Sequence, residues 1–191
     1  MATYTNTWRN KAWLGWFVMQ LPLMLFMDLL EFIWPASLYK PEGSPLHWAY
    51  AVKEWYVAEY KDPIVQWTAE SAAGHDSWMG LFLYLEAAFL LPSVLYGLYR
   101  LGLASRRGTS VADELLFFVY ALEVGFTTLV CIFDISFLDE ATHPPALKRE
   151  MQLQLYAPWL VIPALGAIDM ASRIVGRSKA ADAVLAAKKS K

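Results

Sequence analysis

The chain has 191 residues, of which 57% are hydrophobic, 15% are aromatic and only 18% are charged. Few soluble domains combine so high an apolar fraction with so little charge. The formal net charge of -2 and the lack of a basic tract exclude the usual surface for binding nucleic acid. The single cysteine, Cys131, excludes a disulfide within the chain.

The apolar residues collect into four blocks, each long enough to cross a bilayer as a helix, which takes about 20 residues. The first block is too long for the apolar region of a signal peptide and contains acidic residues, so we expect a membrane helix there. The sequence therefore predicts an all-α fold, a four-transmembrane-helix bundle with kinked helices over residues 1–175, followed by a basic cytosolic tail over 176–191. The four blocks span residues 13–34, 78–99, 115–137 and 153–174.

Lysine and arginine residues orient this bundle. Eleven of them fall in the N-terminal segment, the loop between the second and third blocks and the C-terminal tail, whereas five fall in the other two loops. By the positive-inside rule, both termini are predicted to be cytosolic. Lys188 and Lys189 then have the positions of a dilysine signal for retrieval to the endoplasmic reticulum. A solvated basic tail near anionic lipid is the alternative.

The loop between the first two blocks is long, and its residues 47–67 alternate aromatic and charged side chains. This pattern is typical of an amphipathic helix that lies at the membrane interface or caps a bundle. We expect this segment on the luminal side.

Acidic residues interrupt the apolar blocks. Each costs a few kcal/mol to insert, so such residues usually face the bundle interior or a wet cavity. No Lys or Arg lies at comparable depth in the sequence to pair with them. Protonation, a proton shared between two carboxyl groups, or a cationic ligand would each neutralise them. The acids are Asp28, Glu31, Glu86, Glu123, Asp134 and Asp169.

Prolines lie within three of the blocks, at Pro22, Pro92, Pro158 and Pro163. A proline removes a backbone hydrogen bond and kinks a helix, which a membrane helix tolerates where the freed carbonyl meets a polar group. Kinked helices can bow apart and enclose a cavity. An apolar cavity with a few carboxyl groups would suit a hydrophobic ligand that carries one polar or cationic group.

Several stretches of the chain resemble the sigma-2 receptor branch of the emopamil-binding protein-like (EXPERA) superfamily. The resemblance implies a multi-pass protein of the endoplasmic reticulum membrane that binds sterols and lipophilic amines and regulates sterol homeostasis or trafficking. It also implies, as partners, membrane lipid, a second copy of the chain and a sterol-transport protein. The stretches are LFMDL at 25–29, WYVAEYKDPIVQ at 55–66, LEAAFLLP at 85–92, TTL at 127–129 and YAPWLVIP at 156–163.

The same resemblance assigns a ligand site. It implies that Asp28 and Glu86 form an acidic pair that meets the amine of the ligand. Asp62 matches a family aspartate and is interpreted as a turn or cap residue because Pro63 follows it. The other residues implied to line the pocket are Tyr56, Tyr60, Thr128, Leu129 and Tyr156.

The chain also departs from the family pattern. Trp159 stands where the receptor has a tyrosine, and Leu90 replaces a glutamine. Glu31 and Glu123 are additional acids, which we include among the candidate ligand-binding residues because they suggest a more polar ligand.

Two other functions compete with ligand binding. One is a sterol or terpenoid isomerase that uses buried carboxyl groups as acid and base. The resemblance implies an H-x-x-x-E pattern on one helix face for the isomerases of this superfamily. In this chain the residue four before Asp28 is Met24, and no histidine lies in a membrane block. The other is an assembly subunit that binds no ligand. Because Cys131 has no neighbouring histidine and no Cys/His cluster has zinc spacing, we expect neither a metal nor a cofactor.

Overall fold

The computed structural model describes residues 7–66 and 77–189, and within them the chain is built from helices joined by short turns, without a β-sheet. This confirms the predicted all-α class. Trp67, the last residue of the predicted amphipathic segment, lies outside the described residues, and so do Ser190 and Lys191 of the tail.

The described helices follow the apolar blocks. Additional helices lie in the long loop after the first block and in the loop between the third and fourth blocks. Four turns of π-helix lie within or beside these helices, at Met24–Asp28, Glu86–Leu90, Tyr99–Leu103 and Met151–Tyr156. Short 3-10 turns lie at Ala36–Leu38 and Ser105–Arg107. The α-helices are α1 (Thr7–Leu23), α2 (Leu30–Ile33), α3 (His47–Tyr60), α4 (Pro63–Gln66), α5 (Ser77–Leu85), α6 (Leu91–Leu98), α7 (Val111–Ile135), α8 (Pro145–Glu150) and α9 (Ala157–Lys189).

Three of the described helices are long and apolar enough to span a membrane: Trp78–Leu103, Val111–Ile135 and Pro145–Lys189. The last is far longer than a bilayer needs, so part of it extends beyond the span. The first predicted span corresponds to α1 and its π turn, which end at Asp28. At about 1.5 Å per residue this segment is about 33 Å long, and its crossing of the membrane stays a prediction.

The helices pack around one apolar core. Helix α7 lies along α9, and α1 lies against α6. Trp16 and Phe17 of α1 are buried between them with Phe117 and Tyr120 of α7. Gly97 of α6 permits the close contact with α1, because a Cβ atom there would come within 2.5 Å of the Phe17 ring.

Two of the predicted prolines directly follow a π turn. Pro92 comes after Glu86–Leu90, and Pro158 comes after Met151–Tyr156. A proline cannot donate to the carbonyl four residues before it, and its ring collides with that carbonyl in a regular α-helix. A π turn relieves this conflict by inserting one additional residue, and π turns often occur at functional sites. Pro163, by contrast, lies inside α9 without one.

Ion pairs join the helices at one end of the bundle. Arg177 of α9 pairs with Glu114 at the start of α7 (Nε to Oε2, 2.8 Å), and Arg100 pairs with Asp113 (Nε to Oδ2, 2.8 Å). Arg9 and Arg173 both contact Asp169. The start of α1, the α6–α7 turn and α9 therefore meet at the same end, which is the arrangement that the predicted topology requires.

Two of the acids within the predicted blocks have basic partners, so the expectation that none would be paired is wrong for them. Asp169 contacts Arg9 and Arg173, and Glu31 accepts a hydrogen bond from Lys53 of α3 (Oε1 to Nζ, 2.9 Å). The folded chain brings α3 against the end of the first helix, and the linear sequence gives no sign of that contact.

Candidate ligand cavity within the helix bundle

A cavity of about 420 Å³ lies between α1, α5, α7 and the π turn that precedes α9. Residues of α3 and α4 line it as well, including Tyr56, Ile64 and Val65. Most of the lining is apolar or aromatic. This volume falls within the range of small-molecule sites in proteins.

Three acidic residues reach the cavity from three different helices. Asp28 is the last residue of the π turn after α1, Glu86 is the first residue of the π turn after α5, and Glu123 lies in the middle of α7. No Lys, Arg or His belongs to the described lining. Asp28 is exposed and lines the cavity.

The carboxyl groups of Asp28 and Glu86 are close enough to interact with each other electrostatically. Two neighbouring carboxyl groups can share one proton, and a pair in that state carries a single negative charge. No basic residue of the described lining balances that charge, and Lys53, which acts on Asp28 electrostatically from outside the lining, is paired with Glu31. A ligand cation placed beside the pair would neutralise it.

Asp62 organises the wall of the cavity where α3 and α4 meet the last helix. Its side chain is fully buried. Its Oδ2 atom accepts hydrogen bonds from the hydroxyl groups of Tyr56 (2.8 Å) and Tyr156 (2.6 Å), and its Oδ1 atom accepts one from the backbone N–H of Ile64 (3.0 Å). Burial and the nearby Asp62 carboxylate raise the pKa of Tyr56 above its ordinary value, so this phenol keeps the proton that it donates.

The turn before α4 is also held in place. Lys61 adopts a left-handed conformation (φ of 50°) at the end of α3. His143 contacts the Lys61 carbonyl through Nε2 at 3.1 Å. These contacts fix the turn that positions Asp62, which has both the predicted turn role and a second role as acceptor for two phenols.

The structure brings most of the candidate residues to the cavity. The acid pair is there, and so is Glu123, together with four further residues that line the wall. Those four are Tyr56, Thr128, Tyr156 and Trp159.

Three candidate residues lie outside the described lining. Tyr60 packs against the ring of Tyr56 with centroids 5.0 Å apart. Leu129 is 46% exposed, because the residue after Thr128 in a helix points about 100° away from it. Glu31 pairs with Lys53 instead of facing the cavity.

Two further polar residues line the cavity that were not predicted from the sequence, Gln20 and Gln154. For Gln20 a signal was available, because Gln20, Met24 and Asp28 are four residues apart and therefore share one helix face. For Gln154 the position depends on the π turn at Met151–Tyr156, which sequence spacing does not reveal.

No group of three His, Cys, Asp or Glu side chains in the described residues has the arrangement of a metal site. The described lining of the cavity contains carboxyl groups, phenols and aromatic faces, together with amide and hydroxyl groups. Such groups can bind an ammonium through charge and cation–π contacts, or accept hydrogen bonds from a hydroxyl group.

Comparison with known proteins places these features in a family. The chain is 29% identical over 164 residues to "Sigma intracellular receptor 2" of Homo sapiens and of Macaca fascicularis, which covers 81% of this chain and 82% of each receptor. It is also 28% identical over 166 residues to "Efficient mitochondria targeting-associated protein 19" of Schizosaccharomyces pombe, covering 87% of this chain and 76% of that protein. The family model described as EXPERA (EXPanded EBP superfamily) matches residues 48–170. Because that match spans more than half of its length, this chain belongs to the EXPERA family.

Proposed function

We propose that this protein binds sterols and lipophilic cationic amines in the cavity and acts as a receptor for them without converting them. One observation carries the proposal. The cavity is apolar and aromatic over most of its surface, yet it contains three acidic residues and, in its described lining, no basic one.

A lipophilic amine would place its ammonium group beside Asp28 and Glu86, where its positive charge neutralises the negative charge of the acid pair. Trp159 and Tyr156 would contact the apolar body of the ligand. A sterol would use the same site differently, by donating its hydroxyl hydrogen to the ionised partner of the pair. One cavity thereby accepts both ligand classes.

The proposal extends to the cellular setting. The relatives named "Sigma intracellular receptor 2" support an intracellular receptor. Lys188 and Lys189 near the C-terminus support retention in the endoplasmic reticulum membrane, with both termini in the cytosol. We also propose regulation of sterol homeostasis or trafficking, with a second copy of the chain and a sterol-transport protein as partners.

Displacement of a tritiated sterol from the purified protein in mild detergent tests the binding mode. N,N-dimethyldodecylamine should displace the sterol from the wild type. Asp28→Asn and Glu86→Gln should each weaken this displacement by tenfold or more, because a hydrogen bond to a charged group contributes about 1.5–3 kcal/mol. Glu59→Gln is the matched control, since this exposed acid of α3 lies outside the described lining.

The same preparation distinguishes a receptor from an isomerase. We would incubate it with an 8-ene sterol in deuterated buffer and measure the mass of the extracted sterol. A receptor returns the sterol unlabelled. Deuterium uptake with a shifted double bond, lost in Asp28→Asn, would replace the receptor proposal with catalysis by the same carboxyl groups.

A further inference from the structure

Glu123 is a cavity residue to which the binding mode above assigns no partner. Its Oε2 atom is buried and has no hydrogen-bond partner among the described residues. A buried carboxyl oxygen that lacks a donor is costly, and such atoms are rare in folded proteins. Glu123 lines the cavity, so a donor on a bound molecule can reach it.

The hydroxyl groups of Tyr120 and Thr127, on either side of Glu123 in α7, donate to other acceptors. The Thr127 hydroxyl donates to the backbone carbonyls of Glu123 (2.9 Å) and Val124 (3.2 Å). The Tyr120 hydroxyl, one turn before Glu123, donates to Oε1 of Gln20 and accepts from Trp16. The protein therefore holds its own nearby hydroxyl groups away from the Glu123 carboxyl group.

Glu123 is also separated from Asp28, beside which the ammonium group of the ligand is proposed to bind. Glu86 interacts electrostatically with both Asp28 and Glu123, whereas the neighbours of Asp28 are Glu86, Lys53 and Asp62. Glu86 is therefore the acid that interacts with both of the others. The hydrogen bond between Gln20 and Tyr120 sets a common level on α1 and α7. Asp28 lies eight residues beyond that level, or about 12 Å, and Glu123 lies three residues beyond it, or about 4.5 Å. Glu123 therefore lies on the order of 7 Å along the bundle from Asp28.

We infer that Glu123 forms a second polar subsite of the cavity, which accepts a hydrogen bond from a hydroxyl or amino group of the ligand. The preferred ligand class is therefore bifunctional: an apolar skeleton with an ammonium group at one end and a hydrogen-bond donor about 7 Å away. This inference rests on the proposed function, because it assumes that the amine occupies the Asp28–Glu86 pair.

Three probes of one chain length test the subsite by displacement of the tritiated sterol. They are N,N-dimethyldodecylamine, its 6-hydroxy derivative and its 6-methoxy derivative, which differ in whether a donor is present near Glu123. The wild type should bind the hydroxy probe tenfold or more tightly than the methoxy probe, since only the hydroxyl group can donate to the unpartnered Oε2 atom of Glu123. A 6-amino probe should share this preference.

Glu123→Gln should reduce the preference for hydroxy over methoxy to threefold or less, because an amide can donate to the methoxy oxygen as well as accept from the hydroxyl group. Glu123→Asp provides a second variant that keeps the charge but shortens the reach, and it should give an intermediate ratio. Because each ratio is measured within one protein, differences in overall stability cancel.

The outcomes separate the two proposals. If the wild type binds the hydroxy and methoxy probes equally while Asp28→Asn still loses the unsubstituted amine, the subsite is overturned and the proposed function stands. If the unsubstituted amine does not displace the sterol from the wild type at all, both are overturned.

Discussion

Asp62 combines a local role with a long-range one. Its Oδ1 atom caps the turn before α4, while its Oδ2 atom accepts from two phenols on separate helices. The sequence predicts the first role, because an aspartate before a proline is typical of turns. It does not reveal the second, because Tyr56 and Tyr156 are 100 residues apart in sequence and meet only in the folded bundle. The candidate acids, in contrast, stand out in sequence because each one interrupts an apolar block.

Asp62→Asn should destabilise the protein by about 2 kcal/mol. The amide supplies one acceptor oxygen in place of two, so its NH₂ group faces either the Ile64 N–H or the phenol groups that now donate to the carboxylate. Thermal unfolding in detergent, compared with Glu59→Gln, measures the difference. An Asp62→Asn midpoint equal to that of the control would show that these hydrogen bonds do not hold the turn.

The elements show why helix positions were easier to predict than helix details. Long apolar blocks predict the helices around Trp78–Leu103 and Val111–Ile135 within a few residues. The prolines indicate irregular helices, and the structure has π turns beside Pro92 and Pro158. The exact turn that carries Glu86 into the cavity depends on how the helix meets its neighbours, which proline spacing alone does not specify.

Gly97→Ala tests the contact between α1 and α6. A methyl group at this position would collide with the Phe17 ring, which is 97% buried and packed against Phe117 and Tyr120. We expect a loss of about 1–3 kcal/mol in stability. Gly176→Ala in α9 is the matched control, because its Cβ would meet nothing within 4 Å. That substitution should be neutral or stabilising by up to about 1 kcal/mol. Equal unfolding midpoints for the two variants would contradict the close packing.

On the scale of the whole molecule, the bundle has two different ends. Ion pairs such as Arg177–Glu114 and Arg100–Asp113 join the helices at one end, and the Asp62 cluster joins them at the other. Charge counting in the sequence predicts which loops share an end, because basic residues accumulate there. It does not predict the pairing, since each partner depends on the relative rotation of two helices.

Arg177→Met should destabilise the bundle by about 3–5 kcal/mol, because it removes the guanidinium group that pairs with the fully buried Glu114 side chain. Arg106→Met, at an exposed turn position, is the control for loss of one positive charge. The comparison is made by heating each variant in detergent and measuring the fraction of protein that has not aggregated at each temperature. Identical midpoints for the two variants would rule out a structural role for the buried pair.

The central claim is that the cavity among the helices is the ligand site. We would label the purified protein with a sterol that carries a diazirine group and map the modified peptides by mass spectrometry. The account predicts that the label falls on cavity residues of α1 and α7, such as Met24 and Val124, and that N,N-dimethyldodecylamine reduces it. Labelling confined to outward-facing residues such as Phe126 and Phe133, and unaffected by the amine, would contradict it.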